Sequence, residues 1–175
     1  TMLDDLGLKV AGCHTALDTL TGDARKRTIA FNHTLGNAYL IVPGLPERYR
    51  TSKEAWLRTA DLFNEIADAL EPEGMMTGYH NHFIEFEPME DAVPWDLFFG
   101  NTKPEVVMQI DTGNALHGGG DPVTILKQYP GRAKTVHLKE YAEDDETALI
   151  GEGDVDWEGV FAVVESQGAT NWYIV

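Results

Sequence analysis

The sequence predicts an α/β fold, an incomplete (β/α)8 TIM barrel, and three observations predict it. Strand-sized apolar runs alternate with helix-like segments, the runs recur about every 33 residues, and several end in an ionisable residue. Eight such units would take roughly 260 residues, close to the ~250 of a closed barrel. The 175 residues here form a single partial domain, 1–175, of about six units, read as strands three to eight. A doubly wound open sheet also alternates strand and helix, but it usually opens with a glycine-rich phosphate turn. Ala11-Gly12-Cys13-His14-Thr15 is not one. The chain is therefore expected to be a fragment or truncated form of a protein of roughly 250 residues or more.

In chain order, Thr1-Met2-Leu3 reads as the end of a helix and 8–13 as the first strand. A helix at 23–35 leads to a strand at 38–42. The best helix is 51–70, where Trp56, Ala60, Phe63, Ala67 and Leu70 recur at steps of four and three; Thr51 and Glu54 read as a capping box, and Glu71-Pro72-Glu73-Gly74 as the stop. Strands follow at 75–80, 106–111, 133–139 and 171–175, separated by helices at 94–99, 121–129 and 156–167. The acidic run Glu143-Asp144-Asp145-Glu146 reads as a solvated loop tip.

Thirteen Lys and Arg face 29 Asp and Glu, a net charge of −16, which disfavours nucleic acid because phosphate capture needs a basic footprint. The longest apolar runs are strand-sized, so no membrane span is expected. A single cysteine, Cys13, excludes an intrachain disulfide framework and agrees with a cytoplasmic location. Any metal would have to sit on carboxylates and imidazoles.

Strand alternation sharpens this. In Val106-Val107-Met108-Gln109-Ile110-Asp111 the first, third and fifth residues suit the helices, which turns Val107, Gln109 and Asp111 into the barrel. The same argument turns Thr135, His137 and Lys139 inward and sets His80 and His82 on one face. Glu85, Asp111 and His137 thus follow one another at intervals of 26 residues, about one βα unit, as a candidate metal constellation. A divalent cation held there would acidify a hydroxyl and polarise a carbonyl, so that an enediolate can form at neutral pH. Carboxylates with one imidazole suit Mn²⁺, Mg²⁺, Co²⁺ or Zn²⁺.

The ordered stretches Gly78-Tyr79-His80-Asn81-His82-Phe83-Ile84-Glu85-Phe86, Gln109-Ile110-Asp111-Thr112-Gly113-Asn114, Gly119-Gly120-Asp121-Pro122, Val136-His137-Leu138-Lys139 and Gly151-Glu152-Gly153-Asp154-Val155-Asp156-Trp157 resemble the xylose-isomerase-like TIM-barrel superfamily of sugar-phosphate isomerases and epimerases. The resemblance implies a divalent metal, Mn²⁺ first, held by Glu85, Asp111, His137 and a further glutamate expected beyond Val175. It implies His80, His82 and Lys139 as catalytic groups, and His14, Asn114 and Glu152 as substrate contacts. Epimerases of the superfamily often carry a histidine three residues after the ligand aspartate, where this chain has Asn114; the departure leaves room for keto-sugar dehydratase or eliminase chemistry.

The expected function is a metal-dependent sugar or keto-sugar isomerase/epimerase working by proton abstraction next to a carbonyl, with a dehydratase as the alternative. A neutral sugar is favoured, since few cations could capture a phosphate. A silent sugar-binding barrel is the alternative of another class, and a homo-oligomer is compatible with the sequence. His80, His82 and Glu87 also match the H-x-H-x4-E spacing of cupin metal sites, but the capped helix at 51–70 argues against an antiparallel jelly roll.

Overall fold

Six short strands, β1 (Cys13–His14), β2 (Tyr39–Val42), β3 (Met76–His80), β4 (Val107–Asp111), β5 (Thr135–His137) and β6 (Trp172–Ile174), form one parallel sheet in chain order in a computed structural model that describes residues 2–175. Registers such as Ile41↔Gly78, His80↔Gln109 and Asp111↔His137 align the strands so that their C-terminal ends share one rim. The sheet curls. His14 on β1 reaches Gln109 on β4 at 2.9 Å, whereas three inter-strand steps in a flat sheet would separate them by roughly 14 Å. Asn171, beside β6, likewise donates to the Tyr39 hydroxyl on β2 at 2.9 Å. The result is an incomplete TIM barrel with β1 and β6 at its edges.

The helices are α1 (Met2–Asp5), α2 (Ala24–Leu35), α3 (Lys53–Leu70), α4 (Pro94–Phe99), α5 (Thr112–His117), α6 (Pro122–Gln128) and α7 (Trp157–Gln167). Leu40, Val42, Tyr79, Val106, Met108, Ile110 and Val136 pack beneath them in the main core, and Val106, Met108, Ile110 and Val136 among them are outward residues that alternation predicts. Trp56 and Phe63 of α3 meet Tyr79 and Phe98 in edge-to-face or tilted contacts with centroids 4.8 to 6.2 Å apart. Each pair adds about 0.5–1.5 kcal/mol to the burial itself.

Several expectations are corrected. The first strand is confined to Cys13–His14, not 8–13, because β2 starts only at Tyr39 and the Cys13↔Leu40 register leaves residues 8–10 opposite the end of α2 and its turn. Helix α3 is capped by Ser52, whose Oγ accepts the Ala55 N–H, and not by Thr51. Asp121 and Asp156 cap α6 and α7 from just outside them, so those helices begin one residue later than expected. Helix α5 was not anticipated at all, and it is the element that shapes the site.

Candidate metal centre

The inner set of the barrel wall is polar toward the rim, where an ordinary barrel interior is filled with branched apolar side chains. His80, Asp111 and His137 stand at the ends of β3, β4 and β5, and one ligand-type atom from each lies within 4.8 Å of the others. Asp111 Oδ2 is 3.4 Å from His137 Nδ1 and 3.8 Å from His80 Nε2. Oδ1 is committed elsewhere, accepting the Asn114 N–H at 2.8 Å to cap α5. The carboxylate is thereby fixed with one oxygen on a helix and the other facing two imidazoles. Asn81 holds the same strand end from the side: its Oδ1 accepts the Asp111 N–H at 2.7 Å and its Nδ2 donates to the Asp111 carbonyl at 3.0 Å.

Burial pushes the His80 imidazole down to about 3, helped by His14, His137 and His82 nearby. Burial also lowers His137, against the pull of Asp111. It raises the Asp111 carboxyl, against the Asn114 N–H and the His137 and Lys139 charges. Both histidine shifts favour the neutral imidazole, the form in which a nitrogen lone pair binds a cation. His80 Nδ1 and His137 Nδ1 are buried without a hydrogen-bond partner. The orphaned His137 Nδ1 and the His80 Nε2 both face the buried Asp111 carboxylate, and this arrangement fits a divalent ion, which would give His137 Nδ1 the partner it lacks.

The other expected residues divide. His82 is exposed at the rim with its ring 5.5 Å from that of His80. His14 lies 5.0 Å from the His80 ring and bonds Gln109. Lys139 Nζ donates to Asn114 Oδ1 at 2.7 Å, which places both at the mouth, with the Lys139 charge felt by Asp111 and His137. Glu85, expected as a ligand, is not in the group. Its Oε1 accepts the Tyr79 hydroxyl at 2.6 Å and its Oε2 the His82 N–H at 2.7 Å, and it is 1% exposed. Glu152, expected at the substrate, instead accepts the Leu149 N–H within its own loop. His80, expected as a catalytic group, stands among the ligand-type atoms.

Sequence reasoning turned Gln109 inward without giving it a role, and passed over Asn81 and Glu140. Gln109 is buried one layer below the group, accepting from His14 and donating to Thr135 Oγ1 at 2.9 Å; its shared parity with Asp111 is the signal that could have marked it. Glu140 organises the long loop before α7, its carboxylate accepting the N–H groups of Tyr141, Gly151 and Val155 and the Trp157 indole. No spacing rule links it to residues that far along the chain.

The sequence profile described as xylose isomerase-like TIM barrel matches residues 2–175. An inosose dehydratase of Clostridium beijerinckii is 26% identical over 147 residues, covering 73% of this chain and 49% of the relative. The chain thus spans about half the length of the curated relatives it matches. Among solved structures, a sugar phosphate isomerase/epimerase of Parabacteroides distasonis superposes with a TM-score of 0.84 at 23% identity, over 99% of this chain and 65% of that one. The IolI protein, solved with a zinc atom, superposes with a TM-score of 0.65 at 17% identity, over 86% of this chain and 57% of that one.

Proposed function

Because the chain belongs to the xylose isomerase-like TIM barrel family, we propose that it carries a metal-dependent site for proton abstraction next to the carbonyl of a sugar or keto-sugar. The observation that supports this most is the convergence of His80, Asp111 and His137, with the His137 nitrogen that faces Asp111 orphaned, at the rim where barrel enzymes do their chemistry. These three residues would hold the ion. When bound, a divalent cation supplies Lewis-acid polarisation of the carbonyl and of a neighbouring hydroxyl.

The surrounding residues supply the rest. His82, exposed at the rim, is placed to take the proton from the carbon next to the carbonyl. Lys139 offers a positive charge to the oxygen on which negative charge develops, and Asn114 holds its ammonium in place. His14, oriented by Gln109, is placed to hydrogen-bond a substrate hydroxyl.

Return of the proton would isomerise or epimerise the substrate; expulsion of a neighbouring hydroxyl would dehydrate it. Dehydration is favoured here on two grounds. Asn114 stands where epimerases of this superfamily often carry a histidine, and it is engaged with Lys139 and the Asn81 carbonyl. Several relatives that match are named inosose dehydratases. A cytoplasmic location and a neutral keto-sugar or ketocyclitol belong to the same reading.

The test is solvent-deuterium exchange into a panel of keto-sugars and ketocyclitols, with product identification, in the presence of added divalent metal. Metal-dependent exchange that His137→Ala abolishes is expected, with loss of water from the substrate. Exchange without loss of water would favour the isomerase reading, and no exchange with any compound would remove both.

A further inference from the structure

The donor set differs from the carboxylate-rich one that the sequence suggests, and the difference bears on which ion the site takes. Two imidazoles and one carboxylate converge, contributed by three successive strands of the wall. The carboxylate that would have tipped the balance toward oxygen is held away. Both Glu85 oxygens are taken by the Tyr79 hydroxyl and the His82 N–H, and the residue is buried on that side. His80, in contrast, is 4% exposed and offers Nε2 toward Asp111, within the same group as the His137 Nδ1. Imidazole nitrogen favours zinc-like ions, while Mg²⁺ and Mn²⁺ favour carboxylate, carbonyl and water oxygen.

We propose that His80 is a metal ligand and that the His80, Asp111 and His137 centre selects Zn²⁺ or Co²⁺ over Mn²⁺ and Mg²⁺; this rests on the reading that the group holds a metal at all. Any mixed nitrogen and oxygen site binds Zn²⁺ more tightly than Mn²⁺, so the informative quantity is how far the gap changes when nitrogen is exchanged for oxygen.

The experiment measures Zn²⁺ and Mn²⁺ dissociation constants by chelator competition for the wild type and for His80→Glu, Glu85→Gln and Asp111→Asn. It also records the proton NMR spectrum of the Co²⁺-loaded protein. His80→Glu is expected to narrow the Zn²⁺ to Mn²⁺ preference about tenfold or more, and Glu85→Gln to change either constant by less than about threefold. The Co²⁺ spectrum is expected to show two shifted exchangeable imidazole N–H resonances, one of them absent in His80→Glu. A single such resonance in the wild type overturns the proposal, as does a loss of affinity in Glu85→Gln as large as that in Asp111→Asn. These outcomes leave the metal-site reading standing. Failure of the wild type to bind any ion more tightly than Asp111→Asn removes the metal reading itself, and with it the proposal.

Discussion

The Tyr79 hydroxyl donates to Glu85 at 2.6 Å, from a ring wholly buried in the core beneath α3. This one bond ties the core to the loop that presents His82, because the second Glu85 oxygen accepts the His82 N–H. Burial and the adjacent carboxylate keep the phenol protonated, well above its ordinary range. Removing the hydroxyl leaves a buried carboxylate oxygen without its donor, at a cost of about 1–3 kcal/mol. Tyr79→Phe is expected to lower the urea midpoint accordingly with the slope unchanged; an unaltered midpoint would show that the bond carries no stability.

Gly78 sits on the inner face of β3 with no room for a side chain. A Cβ there would lie 2.5 Å from the Val107 carbonyl oxygen and 2.7 Å from Ile41 Cδ1. The methyl group cannot be accommodated without moving the β4 backbone that carries Asp111. Gly78→Ala should destabilise the fold by about 1–3 kcal/mol. Thermal unfolding followed by circular dichroism checks this, and a variant as stable as the wild type would mean the wall is more yielding than its packing indicates.

Glu140 accepts the Trp157 indole N–H at 2.7 Å and gathers Tyr141, Gly151 and Val155 around the same carboxylate. Burial alone would raise its pKa, but the Trp157 indole and the backbone N–H groups outweigh it and hold the carboxyl below its ordinary value of 4.5. A lowered folded pKa contributes stability that is fully present above the ordinary value and is lost as the pH falls through the folded one. Glu140→Gln, which replaces an acceptor oxygen by a donor, should cost about 1 kcal/mol at neutral pH. It should also flatten the decline in stability below pH 4.5. An acid profile that superposes on the wild type would count against Glu140 as the anchor of the loop.

Arg132 is buried with no carboxylate among the described residues in ion-pair contact, and its guanidinium instead gathers carbonyls. It donates to the Phe99 and Lys103 oxygens at 2.7 Å each, to Thr102 Oγ1 at 2.7 Å and to the Val106 oxygen at 3.0 Å, and it lies over the Phe99 ring. Burial brings it down to about 10, so it remains charged at neutral pH. Its flat fork closes the turn between α4 and β4, a task the single ammonium of lysine cannot reproduce. Arg132→Lys is expected to lose about 2–3 kcal/mol in denaturant unfolding. A loss below half a kilocalorie would indicate that one donor suffices.

How much was legible in the sequence depends on the range of the interaction. The repeat of strands and helices, the inward parity of Gln109, Asp111, Thr135 and His137, and the core stripe Trp56, Ala60, Phe63, Ala67 and Leu70 are all local periodicities. They survive folding because the pleat and the helical turn impose them on any chain that forms those elements. Even so, local signals located the α3 cap one residue early, since Thr51 and Ser52 are both competent and only the backbone conformation chooses between them.

The assignment of Glu85 shows where sequence stops. Its spacing to Asp111 and His137 matched one βα unit, and by type it was as good a ligand as either. Yet a carboxylate binds whatever donors reach it first in three dimensions. The Tyr79 hydroxyl, from the core side of β3, and the His82 N–H, from the loop that follows the strand, do so here. His80 was legible as a candidate catalytic group sharing a face with His82, but its approach to Asp111 and His137 depends on the curl of the sheet and on α5 fixing the Asp111 carboxylate. The sequence by itself thus determined the barrel wall and the residue types facing its interior, because period and parity are properties of a single segment. Only the tertiary structure decided which of those residues share a centre, because that requires the distances between segments, which curvature, register and competing hydrogen bonds set.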